Sequence, residues 1–377
     1  MDARLRHAGL TAIREKLDAG ERLSFDDGVQ LFACDDLQAI GWLANREREK
    51  RHAGRTYYNY NLRLEATNVC VATCLFCSFS RLEPGAPQAY TMSLEEAWDK
   101  LRSRANQPLT EVHVVNGLHP DLPFSYYTEL LRGLKVIRPE IHLKCFTAVE
   151  IAFFADLYGK TDEQVLRELM DAGLDSLPGG GAEVFAERVR RKICHDKSGA
   201  DRYLDIHRIA HRLGMRSNVT MLYGHIETME ERVDHMLRCR ALQDETGGFQ
   251  AFIPLAFHPE NNQMRKLPPP TGTDTLKVHA VARLMLDNIP HVKAFWIATG
   301  LDLAQLALWY GADDLDGTVQ EEKIYHMAGS ETPEAMTTAG IARLVRSAGR
   351  EPLERDTLYN IVNVPQVVEN QGVSVGL

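Results

Sequence analysis

Apolar and polar positions change their rhythm once along this chain. Over residues 1–56 they mix at helical spacing, through Leu5, Ile13 and Leu17, then Asp26-Asp27-Gly-Val-Gln-Leu-Phe, then Leu37 to Arg48. No strand-like alternation interrupts them. After Tyr57-Tyr58-Asn-Tyr60 short strand-like runs begin to alternate with helical stretches. The strand candidates are Asn61–Thr67, Glu111–Asn116, His142–Thr147, Leu174–Pro178, Arg216–Tyr223, Phe249–Ala256, Val292–Thr299 and a weak one at Asp313–Asp316. Helical periodicity fills most of the gaps, as in Ser93–Ala105, Phe124–Arg138, Thr161–Ala172 and Thr228–Thr246. Ser93 with Glu96 offers a capping box, and Thr161-Asp-Glu opens another helix.

Eight strands, each followed by a helix, imply parallel pairing and an α/β fold, most simply a closed (β/α)8 TIM-like barrel. A partly open barrel of about six strands is the rival. The expected organisation is a helical extension over 1–56, the barrel over 57–330, and a helical tail over 331–377 packed on it. In such a barrel functional residues sit just after each strand. The conspicuous clusters do so: Cys70 to Cys77, Asn116-Gly-Leu-His-Pro, Thr147-Ala-Val-Glu150, Pro178-Gly-Gly-Gly-Ala-Glu183, Tyr223-Gly-His225 and His258-Pro-Glu-Asn-Asn262.

Composition adds exclusions. The 377 residues are 44% hydrophobic and 25% charged, values of an ordinary globular chain. A formal charge of −9 without a long basic run argues against nucleic-acid binding. There is no run of eighteen apolar residues and no apolar leader segment, so neither a membrane span nor a signal peptide is expected. Four of the seven cysteines, Cys34, Cys145, Cys194 and Cys239, are scattered without regular spacing. That usage fits a reducing compartment, the cytoplasm, with one metal site.

The other three form Cys70-x3-Cys74-x2-Cys77. Three thiolates that close can take three corners of a [4Fe–4S] cluster and leave one iron open. A structural zinc site needs four closed ligands, and the fourth would have to be His52, His113 or something remote. A zinc-stabilised, non-catalytic barrel is therefore the reading from a different class.

This spacing after a first barrel strand resembles the radical S-adenosylmethionine (SAM) superfamily. The resemblance implies that SAM chelates the open iron and is cleaved reductively to a 5′-deoxyadenosyl radical. It also implies an electron donor of the flavodoxin or ferredoxin type. Phe76 matches an aromatic that packs beside the adenine. Asn116-Gly117 resembles the small-residue motif that receives the SAM amino group, although Leu118-His119-Pro120 follows where an acid is usual. Gly179, Gly180 and Gly181 allow close backbone approach to a ligand and present N–H groups to an anion. Glu183 could hold the SAM amino group or the ribose hydroxyls. His258 and Glu260 are candidates for handling protons. Arg81, four residues past the cysteines, is preferred to Arg216 as a carboxylate-binding cation.

Seven segments together carry a closer likeness: Asn68–Phe79, Asn116–Pro123, Phe146–Glu150, Ser176–Glu183, Met221–His225, Leu242–Gln250 and Ile253–Glu260. They resemble the aminofutalosine synthase family of the futalosine route to menaquinone. The likeness implies addition of the deoxyadenosyl radical to the vinyl carbon of 3-[(1-carboxyvinyl)oxy]benzoate, a dianionic enol ether. Aryl migration and loss of bicarbonate would then give 6-amino-6-deoxyfutalosine and methionine, consuming SAM. The alternative within the superfamily is a hydrogen-abstracting relative, the cyclic dehypoxanthinylfutalosine synthase or a deazaflavin-forming enzyme.

Overall fold

The computed structural model describes residues 1–363. Its strands are β1 (Arg55–Asn59), β2 (Asn61–Leu64), β3 (Glu111–Val114), β4 (His142–Cys145), β5 (Ser176–Leu177), β6 (Arg216–Tyr223), β7 (Phe249–Ala256), β8 (His291–Val292), β9 (Asp314–Gly317), β10 (Glu351–Arg355) and β11 (Ile361–Asn363). Strands β2 to β8 form one seven-stranded sheet in sequence order, with every pairing parallel. A parallel neighbour requires a crossover, and helices supply it between successive strands. The result is the expected α/β barrel type, a sheet curled on itself.

The eighth position differs from the sequence expectation. β9 pairs chiefly with β1, in a second sheet of order β11-β10-β1-β9. It meets the barrel through a single parallel bridge, Lys293 to Asp314, and the chain just beyond it makes another, Leu62 to Gln320. Buried side chains hold this seam. Asp313 accepts from the Val292 amide at 2.9 Å and from His291 Nδ1 at 2.5 Å, and also from the Arg283 guanidinium. The fully buried Arg48, from the helix Leu37–His52, donates to the carbonyls of Ala312, Ala53 and Arg55.

Other boundaries move for local reasons. The helix Leu94–Arg102 starts on the expected box, Ser93 and Glu96 capping each other, and Thr161 and Thr228 cap the helices Asp162–Asp171 and Met229–Thr246. The strand expected over Val292–Thr299 is only His291–Val292, and Trp296–Thr299 is a helical turn. A short buried apolar run does not distinguish the two by periodicity. β1 straddles the boundary expected at 56/57. Beyond residue 330 the tail is not purely helical. The helix Thr338–Ser347 is followed by β10, parallel to β1, and β11, antiparallel to β10. The expected end segment from 364 lies outside the described residues. No helix among the described residues is long and apolar enough to cross a membrane.

Candidate active site

The loop after β2 carries the three cysteines, and its path is fixed by backbone bonds to the segment after β3, to the end of the helix Glu187–Ile193 and to the loop after β7. Val71 N–H donates to Leu118 O at 3.0 Å, Leu75 N–H to Ile193 O at 2.9 Å, and Leu75 O accepts from Gln263 N–H at 2.9 Å. Gly117 N–H donates to Thr67 O at 2.9 Å. A Cβ at Gly117 would lie 2.2 Å from Val69 O, so only glycine lets the end of β3 cross this loop so closely. At Gly179 a Cβ would lie 2.8 Å from the Val219 backbone.

Cys70, Cys74 and Cys77 face a single internal cavity of about 270 Å³. Phe76, Asn116, Gly117, Gly179, Gly180, Gly181, Glu183 and His258 line it too. Nearly all the sequence candidates thus converge on one space at the C-terminal ends of the strands. Burial raises the Cys70 thiol and pushes Cys74 up to about 12. Glu183, at φ +46°, accepts from Lys197 Nζ at 2.7 Å, and that ammonium stands 5.2 Å from the Phe76 ring centroid.

Two candidates do not join them. Arg81 is spent on its own loop, a correction to its expected role as a carboxylate anchor. Its guanidinium donates to the carbonyls of Ser78, Phe79, Ser80 and Pro87 and to Gln88 Oε1. A loop that turns back after three cysteines leaves inward-pointing carbonyls, and Arg81 satisfies them. Glu260 is exposed and outside the cavity lining, and its backbone carbonyl accepts from Ser78 Oγ at 2.8 Å. His258 lines the cavity with Nε2 2.8 Å from Ala298 O and its ring edge-on to Tyr325.

The sequence reasoning missed the floor of the cavity. Arg63, His113 and Lys144 are register partners across β2, β3 and β4 and so form one layer inside the barrel. Arg63 donates to Asp316 Oδ2 at 2.5 Å, and Lys144 to Glu111 Oε2 at 2.6 Å. The signal was available: a charge flanked by apolar residues in a buried barrel strand, as in Leu62-Arg63-Leu64, points inward. Lys197, on a loop, carried no such signal. Glu65 and Glu150 also line the cavity. Burial pushes Glu65 up to about 8, with the Glu322 carboxylate adding to the shift, and raises Glu150 to about 7.

Residues 64–239 match the radical SAM superfamily, and residues 246–368 match the CofH/MqnC C-terminal region. An aminodeoxyfutalosine synthase of Thermus thermophilus is 48% identical over 97% of this chain and 99% of its own. The chain belongs to the aminodeoxyfutalosine synthase family of radical SAM enzymes. A more distant relative is the 5-amino-6-(D-ribitylamino)uracil–L-tyrosine 4-hydroxyphenyl transferase of Methanopyrus kandleri, 42% identical over 90% of this chain and 94% of its own. Among solved structures, the FeFe-hydrogenase maturase HydG from Carboxydothermus hydrogenoformans shares the fold. Its TM-score is 0.73 at 18% identity, over 94% of this chain and 82% of that one.

The superfamily implies a [4Fe–4S] cluster and SAM, and the residues present fit both. Three sulfurs face one cavity from one loop, the donor number that leaves an iron open. Beside them Asn116 Nδ2 is buried with no hydrogen-bond partner among the described residues. Glycines at 117 and 179 bring backbone against the same space.

Proposed function

We propose that this enzyme is an aminodeoxyfutalosine synthase joining the 5′-deoxyadenosyl group of SAM to 3-[(1-carboxyvinyl)oxy]benzoate. The products are 6-amino-6-deoxyfutalosine, methionine and bicarbonate, on the futalosine route to menaquinone. The observation that carries the reading is one cavity with the cysteine triplet and glycine loops at its mouth and buried cations at its floor. A substrate with two carboxylates and an aromatic ring asks for that combination. The relationship to the Thermus protein, at 48% identity over nearly the full length of both chains, supports this reading within the superfamily.

When bound, a reduced [4Fe–4S] cluster with SAM on its open iron supplies the 5′-deoxyadenosyl radical. The chain's own residues do the rest. Cys70, Cys74 and Cys77 would hold the metal. Phe76, Asn116, Gly117, Gly179, Gly180 and Glu183 would hold SAM, with Lys197 fixing the Glu183 carboxylate. The apolar side chains Leu222, Ile253, Leu255 and Phe295 line the same cavity and exclude water from the reacting carbons. Addition over hydrogen abstraction would require these walls to hold the vinyl carbon close to where the radical forms. His258 borders the site as a positioning residue held by Ala298 O.

The test is incubation of anaerobically purified, reduced protein with SAM and the enol ether, followed by mass spectrometry. The expected product is the adduct. Free 5′-deoxyadenosine without adduct would return the enzyme to the hydrogen-abstracting relatives. A colourless protein containing zinc and no iron or sulfide would overturn the radical reading altogether.

A further inference from the structure

The cavity floor is built for an anion that the protein does not itself supply. At the floor Arg63 Nε and Glu65 Oε2 are buried with no hydrogen-bond partner among the described residues, and His113 Nδ1 has only the Glu111 carboxylate, at 3.8 Å. A buried orphan of this kind costs about 1–3 kcal/mol, so orphans grouped in one cavity mark a place where a polar ligand completes the bonding.

The floor is rich in cations. Arg63 and Lys293 both donate to Asp316, at 2.5 and 2.7 Å, and Lys144 donates to Glu111. Three cations therefore face two carboxylates. The other acids of the lining have partners of their own: Glu183 accepts from Lys197, and Glu150 from the Thr147 and Asn116 amides. Glu322 pairs with His326 at 3.1 Å, which that carboxylate raises to about 9. Arg355 pairs with Asp314 at 2.7 Å. Glu65, raised to about 8 by burial and by Glu322, carries a proton at neutral pH and offers an O–H. The Arg63 guanidinium thus has one nitrogen spent on Asp316 and its Nε unspent. Above it, Phe295 lies 5.3 Å from the Arg63 guanidinium, and Ile253 and Leu255 line the same cavity. A cation next to apolar walls suits a flat ring that carries a carboxylate.

We propose that Arg63, with Lys144 in the same layer, anchors the ring carboxylate of an aromatic acid at the barrel floor. The acid enters carboxylate first, and its meta substituent points up toward the cysteine loop. The anchoring stands on the floor residues alone, whereas the direction of the substituent rests on the synthase reading above.

The probes are 3-hydroxybenzoate and 3-hydroxybenzamide, which differ in the charge of the group to be anchored. Each is titrated calorimetrically into cluster-loaded wild-type protein and into Arg63→Gln and Arg63→Lys. The expected result is a wild-type preference for the benzoate of at least about tenfold, about 1.4 kcal/mol. Arg63→Gln abolishes that preference while amide binding is unchanged. Equal wild-type affinity for the two probes, or binding of neither, overturns the anchor, as does retention of the preference in Arg63→Gln. If Arg63→Gln does not fold, Arg63→Lys is read instead, since it keeps a charge for Asp316. An undiminished preference there, without the guanidinium, overturns the assignment to Arg63. Formation of the adduct from SAM and the enol ether is measured in parallel. Its absence in wild-type protein that prefers benzoate would sink the synthase reading and leave the anchor standing.

Discussion

The Lys197 ammonium lies 2.7 Å from a Glu183 carboxylate oxygen, both largely buried beside the cysteine loop. Burial opposes the ammonium charge, yet Lys197 is held well above its ordinary range, with the Glu183 carboxylate at 2.7 Å among the causes. The contact orients Glu183 where the glycine loop turns. Glu183→Gln keeps an acceptor for Lys197 and removes the charge. Its SAM dissociation constant should rise about tenfold, a loss of about 1.4 kcal/mol, by calorimetry on cluster-loaded protein. An unchanged affinity would leave Glu183 a purely structural role.

Cys70→Ala, Cys74→Ala and Cys77→Ala should each abolish SAM cleavage while the far-ultraviolet circular dichroism of the barrel is retained. The cysteine loop is held by backbone bonds to Leu118, Ile193 and Gln263, none of which involves a thiol. Turnover persisting in any one variant would reassign the ligand set.

Gly117→Ala should be destabilising by about 1–3 kcal/mol, because overpacking against backbone cannot be relieved by a rotamer change. The new methyl group would meet Val69 O at 2.2 Å, one residue before Cys70. The effect should therefore reach the metal: iron per chain falls along with the urea midpoint. Wild-type values of both would mean that the loop yields freely.

Glu65 gives a pH dependence of known sign. Its carboxyl is raised to about 8 by burial and by Glu322, so between about pH 4.5 and 8 the folded state holds a proton that the unfolded state has released. Its contribution to stability is complete below that window and is lost through it by up to about 1.4 kcal/mol per pH unit. Glu65→Gln removes this loss. The melting temperature of the variant should gain on wild type steadily from pH 5 to 8. Parallel curves would show that Glu65 titrates normally.

How much of this was legible beforehand depended on how local the cause was. Ser93, Thr161 and Thr228 cap their helices through residues three positions on, so sequence alone located those starts. The cysteine spacing and the glycine run after Leu177 are likewise contiguous, and both reach the cavity as expected. Arg81 misled because its partners, the carbonyls of Ser78 to Ser80 and Pro87, exist only once the loop turns back on itself. The seam formed by β1, β9 and β10 was missed because parallel pairing between segments hundreds of residues apart leaves no local pattern.

The sequence by itself determined the alternation of strand and helix, the metal-binding triplet and the strand-end position of the reactive loops. These follow from period, capping and spacing, which act over a few residues. Tertiary structure decided which cations serve the site. Register across β2, β3 and β4 sets Arg63, His113 and Lys144 in one layer, and the loop at Lys197 comes over Phe76 and Glu183. A charge becomes a ligand's partner only where the folded barrel removes water and leaves its bonds unspent, and that depends on neighbours distant in the chain.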